Sequence, residues 1–331
     1  MGTDVNPSSC SLDKAIENIN DQLQTNSDCV ESGVYGTNDT ISIPTGTLTL
    51  TADPAVITRS IIIEGQGMQG SVIDGDSGQY SGLQVTVDGQ VTIKDLKVKG
   101  FKAFGVVITD AGLNMQHVDI DGTNALSGAV AFSGGQKVLG GVRYTTATAV
   151  TNSVTMDGVY VHDLSTSDAV FVAAQSFSVN SNSDINLWVK NSTIANISST
   201  DAGSPQVYGV TTGLEPGSTF SRSLFENITI SNISSSSSSI ASAFELSGFN
   251  FQQTDPNLSV TLRNATVSGF TASGNSNDSA SPILLVGGGA LVSDVSTMDL
   301  NIQNVIVTNS HTNGQSLNCK ILNASSFVGG V

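Results

Sequence analysis

The chain is poor in positive charge, in aromatic residues and in long apolar runs. It has 12 Lys and Arg against 28 Asp and Glu, a formal net charge of −16, which argues against nucleic acid and anionic membrane surfaces as partners. No apolar run approaches the roughly 20 residues of a membrane span. Aromatic residues make up only 5% of the chain, which favours a narrow interior.

Cysteine is also rare. Cys10 and Cys29 flank a segment with helical periodicity, and we expect a disulfide between them; the alternative is two buried thiols in a reducing compartment. Cys319 is then left over, either as a buried thiol or with a partner beyond Val331. The chain begins without an apolar signal segment, which we interpret as a signal already removed from a secreted or cell-surface protein.

A nine-residue pattern returns seven times. Position 1 is always apolar, position 2 is polar or charged, position 6 is Val or Ile, and position 8 is Gly, Asn or Asp. A unit this short cannot bury its own apolar face, so it must stack on like neighbours. The copies start at Ile93, Met115, Met156, Val189, Phe225, Leu262 and Ile302.

Within each copy, positions 4 and 6 are mostly apolar with polar residues between them, which predicts a strand with one buried face. Positions 3 and 8 carry residues that tolerate bends and left-handed geometry. We predict that the asparagines at position 3 point inward and bond amide to amide along the stack, as in cross-β ladders. These are Asn191, Asn227, Asn264 and Asn304.

The outward positions carry charges that alternate from copy to copy. Position 5 begins Lys97, Asp119, and position 7 begins Lys99, Asp121, His162. Adjacent strands lie about 4.8 Å apart, and opposite charges across that gap stabilise an in-register parallel stack. We therefore expect many of these charges to be structural.

A second strand follows six of the copies, and the shortest interval between copy starts, 22 residues, fits one bare turn of a three-sided coil. The sequence predicts an all-β fold, a right-handed single-stranded parallel β-helix. We place the second strands at 105–109, 128–132, 168–172, 208–212, 242–246 and 281–286. Corner loops are expected at 133–153, 173–184, 198–206, 247–257 and 271–280.

The first 40 residues form a predicted N-terminal cap, and 41–331 the β-helix. Residues 11–24 read as a helix whose apolar stripe, Leu12, Ile16, Ile19 and Leu23, plugs the open end of the coil, with Ser9 or Ser11 at its start. At the other end, 320–324 begins an eighth turn with no capping segment. We expect that end to be continued by further sequence, or covered by a partner or a second copy.

Residues 10–75 resemble a known family. Cys10-Ser11-Leu12-Asp13-Lys14-Ala15-Ile16, followed by Asn20, is similar to the "CSLREAI…AN" opening of secreted bacterial surface proteins, with Asp-Lys where that family has Arg-Glu. The strand DTISIPTGTLTLT (39–51) is similar to their next segment, and IIIEGQGMQGSVIDG (61–75) to the early turns of pectate-lyase-like β-helices. The resemblance implies a secreted or surface-anchored β-helix and no defined reaction.

No catalytic signature stands out. Hydrolases on such folds carry motifs such as Asn-Thr-Asp, Asp-Asp, Gly-His-Gly and Arg-Ile-Lys, and none occurs here. The strongest catalytic candidates lie in DGVYVHDLSTSD, although most of these positions belong to charge rows or turns. They are Asp157, His162, Asp163 and Asp168.

Metal and ligand sites are equally sparse. Asp74 and Asp76 begin a calcium-loop pattern that lacks the later ligands, and we interpret them as an acidic turn. No Cys/His spacing indicates zinc, and we expect no cofactor. Aromatic and cationic side chains on or near the loops are candidate platforms for a glycan, the alternative being local packing on the shaft. They are Arg143, Tyr144, Trp188, Phe249 and Phe251.

The favoured function is a non-enzymatic cell-surface adhesin or scaffold that binds a glycan or another surface protein. A polysaccharide lyase or glycoside hydrolase is the first alternative and requires two carboxylates on neighbouring turns outside the charge rows. A passive stalk is the second. The row Thr193, Thr229 and Thr266 suggests ice binding, but a single row of three is narrow.

Overall fold

The chain forms a parallel β-helix with one described α-helix near its N-terminus, as predicted. This computed structural model describes residues 2–4, 10–36, 39–87, 89–130, 134–169, 171–180, 182–201, 206–214, 219–236, 240–247, 258–272, 283–286, 298–312, 319–322 and 327–330. The described helix is too short to span a membrane. The right-handed sense of the coil and the division at residue 40 stay predictions.

In the part of the chain that the structure describes, the strands of the coil form two sheets. Sheet 1, which contains the nine-residue repeats, has 19 strands: β1 Gly2–Asp4, β2 Val30–Ser32, β3 Asp39–Ser42, β4 Gly46–Thr49, β5 Ile61–Glu64, β6 Ser71–Asp74, β8 Gln90–Lys99, β10 Gly112–Asp121, β13 Thr151–Asp157, β14 Tyr160–Thr166, β16 Asp184–Lys190, β17 Thr193–Ser199, β19 Thr219–Glu226, β20 Thr229–Ser235, β22 Leu258–Ser268, β23 Thr271–Ala272, β25 Met298–Thr308, β26 His311–Thr312 and β28 Phe327–Gly330. Sheet 2 has nine: β7 Ser81–Thr86, β9 Lys102–Thr109, β11 Gly128–Ala129, β12 Lys137–Thr145, β15 Phe171–Val179, β18 Gln206–Leu214, β21 Ile240–Ser247, β24 Ile283–Val286 and β27 Cys319–Leu322.

The seven repeats stack in register. The position 1 residues of all seven copies, from Ile93 to Ile302, are direct partners on adjacent parallel strands. Positions 1, 4 and 6 point inward; in the first copy Ile93, Leu96 and Val98 are at most 1% exposed. Each such side chain stabilises the fold by roughly 1.5–3 kcal/mol. The predicted stack is confirmed.

The residues at both bends of the repeat adopt the left-handed backbone conformation. Position 3 has positive φ in every copy, from Asp95 (56°) to Asn304 (52°). Position 8 has positive φ in six copies, for example 59° at Asn196. Asn and Asp adopt this conformation at lower cost than other side chains, and Gly adopts it freely. The composition of these two positions therefore follows from the geometry of the corners.

The asparagine ladder exists, but it runs along the outside of the coil. The Nδ2 of Asn227 donates to Oδ1 of Asn191 (2.9 Å), Asn264 to Asn227 (3.2 Å), and Asn304 to Asn264 (3.1 Å). All four side chains are exposed, so the prediction that they point inward is wrong. The reason is that the left-handed residue follows an outward position 2 and also turns its side chain outward, before the chain re-enters the core at position 4.

Position 8 forms a second, shorter ladder. Asn232 Nδ2 donates to Asn196 Oδ1 (3.0 Å), and Asn196 Nδ2 donates to Asp163 Oδ1 (2.8 Å). The first ladder also ends on a carboxylate, since Asn191 Nδ2 donates to Asp157 Oδ1 (2.8 Å). Asp157 and Asp163 thus terminate two parallel rows of amides.

The helix, α1, spans Leu12–Asp21 and packs on the core of the first turns through Leu12, Ile16 and Ile19. Ser11 caps it, its Oγ accepting from the Lys14 N–H at 3.3 Å. The helix ends earlier than predicted because Gln22 is left-handed (φ 53°), and Leu23 is consequently 64% exposed. The Cys10–Cys29 disulfide is confirmed, with Cα atoms 4.6 Å apart.

Two predicted loops contain strands of sheet 2. Strand β12 (137–145) lies within the loop expected at 133–153. Strand β15 (171–179) begins in the strand expected at 168–172 and continues into the loop expected at 173–184, and it pairs in parallel with β12. The strand expected at 128–132 is instead the short β11, antiparallel to β12. Gly140 and Gly141 interrupt the apolar alternation of β12, which concealed it in the sequence. Residues 320–322, expected to begin an eighth turn, belong instead to β27, the sheet 2 strand that follows the seventh repeat and pairs with β24. The next turn begins with β28, which pairs with β25.

Asn227 offers a direct test of the outer ladder. Asn227→Ala removes two amide–amide hydrogen bonds and forces Ala into a left-handed conformation, so we expect a loss of about 2–3 kcal/mol in the free energy of unfolding. Asn227→Gly removes the same bonds without the strain, so its loss stays near 1 kcal/mol. Urea unfolding of the three proteins measures both; equal losses for Ala and Gly would contradict a strained corner.

Candidate functional site

The structure brings together two of the four catalytic candidates. His162 Nδ1 lies 2.6 Å from Asp163 Oδ2 on the outer face of sheet 1. Asp157 ends the first asparagine ladder, and Asp168 lies at another corner, paired with Lys137 and Ser127. The four residues therefore do not form one site.

His162 belongs to a network that crosses three turns. Its Nε2 lies 2.9 Å from Asp119 Oδ1, and Tyr160 stacks on its ring with centroids 4.1 Å apart. Lys97 Nζ bridges Asp119 Oδ2 (2.8 Å) and Asp121 Oδ2 (3.2 Å). The charge rows predicted from the sequence therefore form ion pairs. These pairs join direct partners, as in Lys97–Asp119, and also residues offset by two positions, as in Lys97–Asp121.

The network is largely shielded from water. Asp119 is 2% exposed and His162 9%. Burial by itself would lower the pKa of His162, but hydrogen bonds to Asp119 and Asp163 outweigh it and raise that pKa above its usual value. Burial would raise the pKa of Asp121, and the hydrogen bonds from Thr123 and Lys97 lower it instead. Each charge here has a partner of opposite sign.

A cleft of about 310 Å³ lies on the outer face of sheet 2, and we call it the Arg143 cleft. The Phe104 ring lies over Gly140, where a Cβ would come within 2.2 Å of Phe104 Cε1. This wall joins a small apolar cluster with Val107 and Val138. The lining comprises Asp53, Ser81, Gln84, Lys102, Ala103, Phe104, Val107, Gly128, Ala129, Val130 and Arg143.

The polar groups of the Arg143 cleft are mostly cationic or neutral. Burial lowers the pKa of Arg143 to about 10, which leaves the guanidinium charged at neutral pH. Lys102 is exposed at the rim. Asp53 is the single carboxylate among the described lining residues, and its Oδ1 accepts from the Ser81 N–H at 2.7 Å. The cleft combines an apolar wall with two cations.

A second, shallower cleft of about 500 Å³ lies beyond the 125–130 segment. Lys137 and Asp168 meet in it, among Ser and Thr side chains. Hydrogen bonds from Lys137, Ser127 and Thr166 lower the pKa of Asp168 to about 2. We call this the Asp168 cleft.

The predicted aromatic and cationic binding residues lie in different environments. Tyr144 is fully buried in the core, because its strand position points inward; its proposed surface role is wrong. Trp188 points outward and is half-buried, with the Lys190 ammonium 5.4 Å from its ring centroid. Arg143 lines the cleft described above. Phe249 and Phe251 lie outside the described residues.

Two minor predictions can be placed. Asp74 pairs with Lys99 (3.0 Å) and accepts from the Asp76 N–H (3.0 Å), the geometry of a turn. The row Thr193, Thr229 and Thr266 is in register, but Tyr160 precedes it and Ile306 follows it, so it stays three residues long.

Sequence reasoning named Arg143 as a binding candidate but missed the other residues of the Arg143 cleft, because they are far apart in the chain. Asp53, Gln84 and Phe104 belong to successive turns and carry no common motif. The available signal was the Gly-Gly pair of β12, which marks a position where a neighbouring side chain covers the sheet.

Comparison with known proteins adds little. No family model matches the chain, and no curated protein matches it. Solved structures that resemble it include catalytic domains of a GH87 α-1,3-glucanase. A substituted form with tetrasaccharides has 10% identity and a TM-score of 0.26, and a form with nigerose has 11% and 0.26; each match covers 98% of this chain and 68% of the other. At these values the likeness carries no argument about activity.

The Asp168 pair predicts a specific pH dependence. The pKa of Asp168 is lower in the folded chain than in the unfolded one, so its contribution is present above about pH 4 and is lost as the pH falls toward 2. Since the pair is half-exposed, Asp168→Asn should cost no more than about 1 kcal/mol at pH 7. Urea unfolding from pH 2 to 7 measures this, with Lys137→Met in the same background as the control. A cost that persists at pH 2 would contradict the assignment.

Proposed function

We propose that this protein is an extracellular or cell-surface β-helix that binds a glycan or a surface protein in the Arg143 cleft without changing it chemically. The observation that carries the proposal is the cleft itself, in which an apolar wall lies beside Arg143, Lys102 and the Gln84 amide. Apolar walls with a few convergent polar groups are typical of ligand sites. A sugar ring presents both an apolar face and hydroxyl groups to such a surface.

The distribution of carboxylates supports binding over hydrolysis. Glycoside hydrolases use two carboxyl groups that flank the scissile bond. In the described lining of the Arg143 cleft, Asp53 is the one carboxylate, and it is held by the Ser81 N–H. On sheet 1, Asp119 and Asp121 pair with Lys97, and Asp119 also pairs with His162.

The location outside the cell rests on two further observations. A disulfide persists in oxidising compartments and is rare in the cytosol, and Cys10 and Cys29 form one. We propose, in addition, that the similarity of residues 10–75 to secreted bacterial surface proteins reflects a shared origin.

A glycan array probed with purified protein tests the proposal. We expect selective binding to a subset of glycans, and Arg143→Ala should weaken it about tenfold or more, because a charge-assisted hydrogen bond is lost. Arg263→Ala is the matched control: it removes an arginine on sheet 1 that pairs with Glu226 at 2.7 Å, and it should leave binding unchanged.

The same preparations separate the alternatives. Bound glycans are incubated with the protein and assayed for new reducing ends and for the unsaturated product of a lyase. Release of either would replace the binding proposal with an enzymatic one. No binding to glycans or to cell-surface extracts would favour a passive stalk.

A further inference from the structure

We propose that Asp121, His162 and Asp163 form a site for a divalent transition-metal ion, with Zn²⁺ as the ion to test. Their ligand atoms, one from each side chain, all lie within 4.8 Å of one another. Imidazole and carboxylate groups suit zinc, at about 2.0–2.2 Å from the ion. This site lies on sheet 1, on a different sheet from the Arg143 cleft, and is independent of the function proposed above.

The backbone places the three side chains together. Asp121 ends β10 and is the direct partner of His162 on β14, so their side chains project side by side. Asp163 follows His162 at a left-handed corner (φ 58°). His162 Nδ1 lies 2.6 Å from Asp163 Oδ2 and 4.0 Å from Asp121 Oδ1. Binding one ion at about 2.0–2.2 Å from each atom requires the His162–Asp163 contact to lengthen and the His162–Asp121 contact to shorten.

Each proposed ligand is held from behind by a different partner. His162 Nε2 bonds to Asp119 Oδ1 (2.9 Å), Asp163 Oδ1 accepts from Asn196 Nδ2 (2.8 Å), and Asp121 Oδ2 accepts from Lys97 Nζ (3.2 Å). Asp121 Oδ1 also accepts from the Thr123 N–H at 2.9 Å, which leaves it a second lone pair. A carboxylate behind a ligating histidine is the usual outer support of a metal site.

His162 presents one ring nitrogen to the outer support and the other to the proposed ion. Its Nε2 lies 2.9 Å from Oδ1 of the buried Asp119, and its Nδ1 lies 2.6 Å from Asp163 Oδ2. In the tautomer that carries its proton on Nε2, the lone pair of Nδ1 is available to a metal ion.

The charge of the cluster favours a divalent ion. Asp119, Asp121 and Asp163 contribute three negative charges and Lys97 one positive charge. These four side chains carry a net charge of two minus, which one divalent cation balances. The Asp163 side chain is 41% exposed, so the ion has a route in and open positions for water.

Zinc titration of the metal-stripped full chain, followed by calorimetry, tests the site. We expect one Zn²⁺ per chain. His162→Gln and Asp163→Asn each remove a ligand atom, and affinity should fall at least tenfold. Asp119→Asn removes the outer support and should weaken binding about 10–100-fold. Co²⁺ should give a visible d–d spectrum that His162→Gln abolishes.

His117→Gln is the matched control. His117 Nδ1 lies 3.2 Å from Asp95 on the same sheet, but the described residues offer it no third ligand, and its side chain is 66% exposed. This variant should bind zinc like the parent. Thermal unfolding verifies that each variant is folded, and Asp163→Asn, at an exposed corner, serves if His162→Gln unfolds.

Two results would overturn the proposal. The first is the absence of stoichiometric zinc binding to the parent chain. In that case a doubly protonated His162, and not a metal ion, would account for its short contacts with Asp119 and Asp163. The second is an equal loss of affinity in His117→Gln and His162→Gln, which would assign binding to scattered surface groups.

Discussion

The whole structure depends on the two corners of the repeat, which are left-handed at position 3 in all seven copies and at position 8 in six. Each corner reverses which way the following residues face, so apolar positions 1, 4 and 6 enter one interior although their spacing is irregular. When one turn adopts these corners, the next can pair with it in register along its full length. Stability then accumulates through nearest-neighbour interfaces, as expected for a solenoid.

The same corners decide what the outer surface can do. They line up asparagine amides into rows that end on Asp157 and Asp163, and they place Lys97, Asp119, Asp121 and His162 on adjacent turns of one sheet. Charge on sheet 1 is therefore built into the stack. Sheet 2 is free of this repeat, and there Phe104, Lys102 and Arg143 line a cleft. The proposed binding function therefore depends on sheet 2, whereas the charges of sheet 1 stabilise the stack.

Much of the fold was accessible from sequence because the repeat is strict where the backbone bends. The register from Ile93 to Ile302, the helix start at Ser11 and the Cys10–Cys29 pair all followed from local patterns. The outward direction of the Asn227 side chain did not follow from the sequence. The period of the repeat does not determine whether the side chain at a left-handed corner points inward or outward. Strand β12 was hidden by Gly140–Gly141, and Tyr144 was assigned to the surface for the same reason.

The candidate sites were harder to predict because their residues meet only after stacking. Asp121 and His162 are direct partners on adjacent turns although they are 41 positions apart in the chain, and nothing in either segment signals a metal. Engineered disulfides test the underlying register most directly. A Thr193→Cys, Thr229→Cys pair should oxidise readily, since lateral partners on adjacent strands lie about 4.8 Å apart. A Thr193→Cys, Ser231→Cys pair, offset by two residues, should not; cross-linking of the offset pair in preference to the aligned pair would contradict the stack.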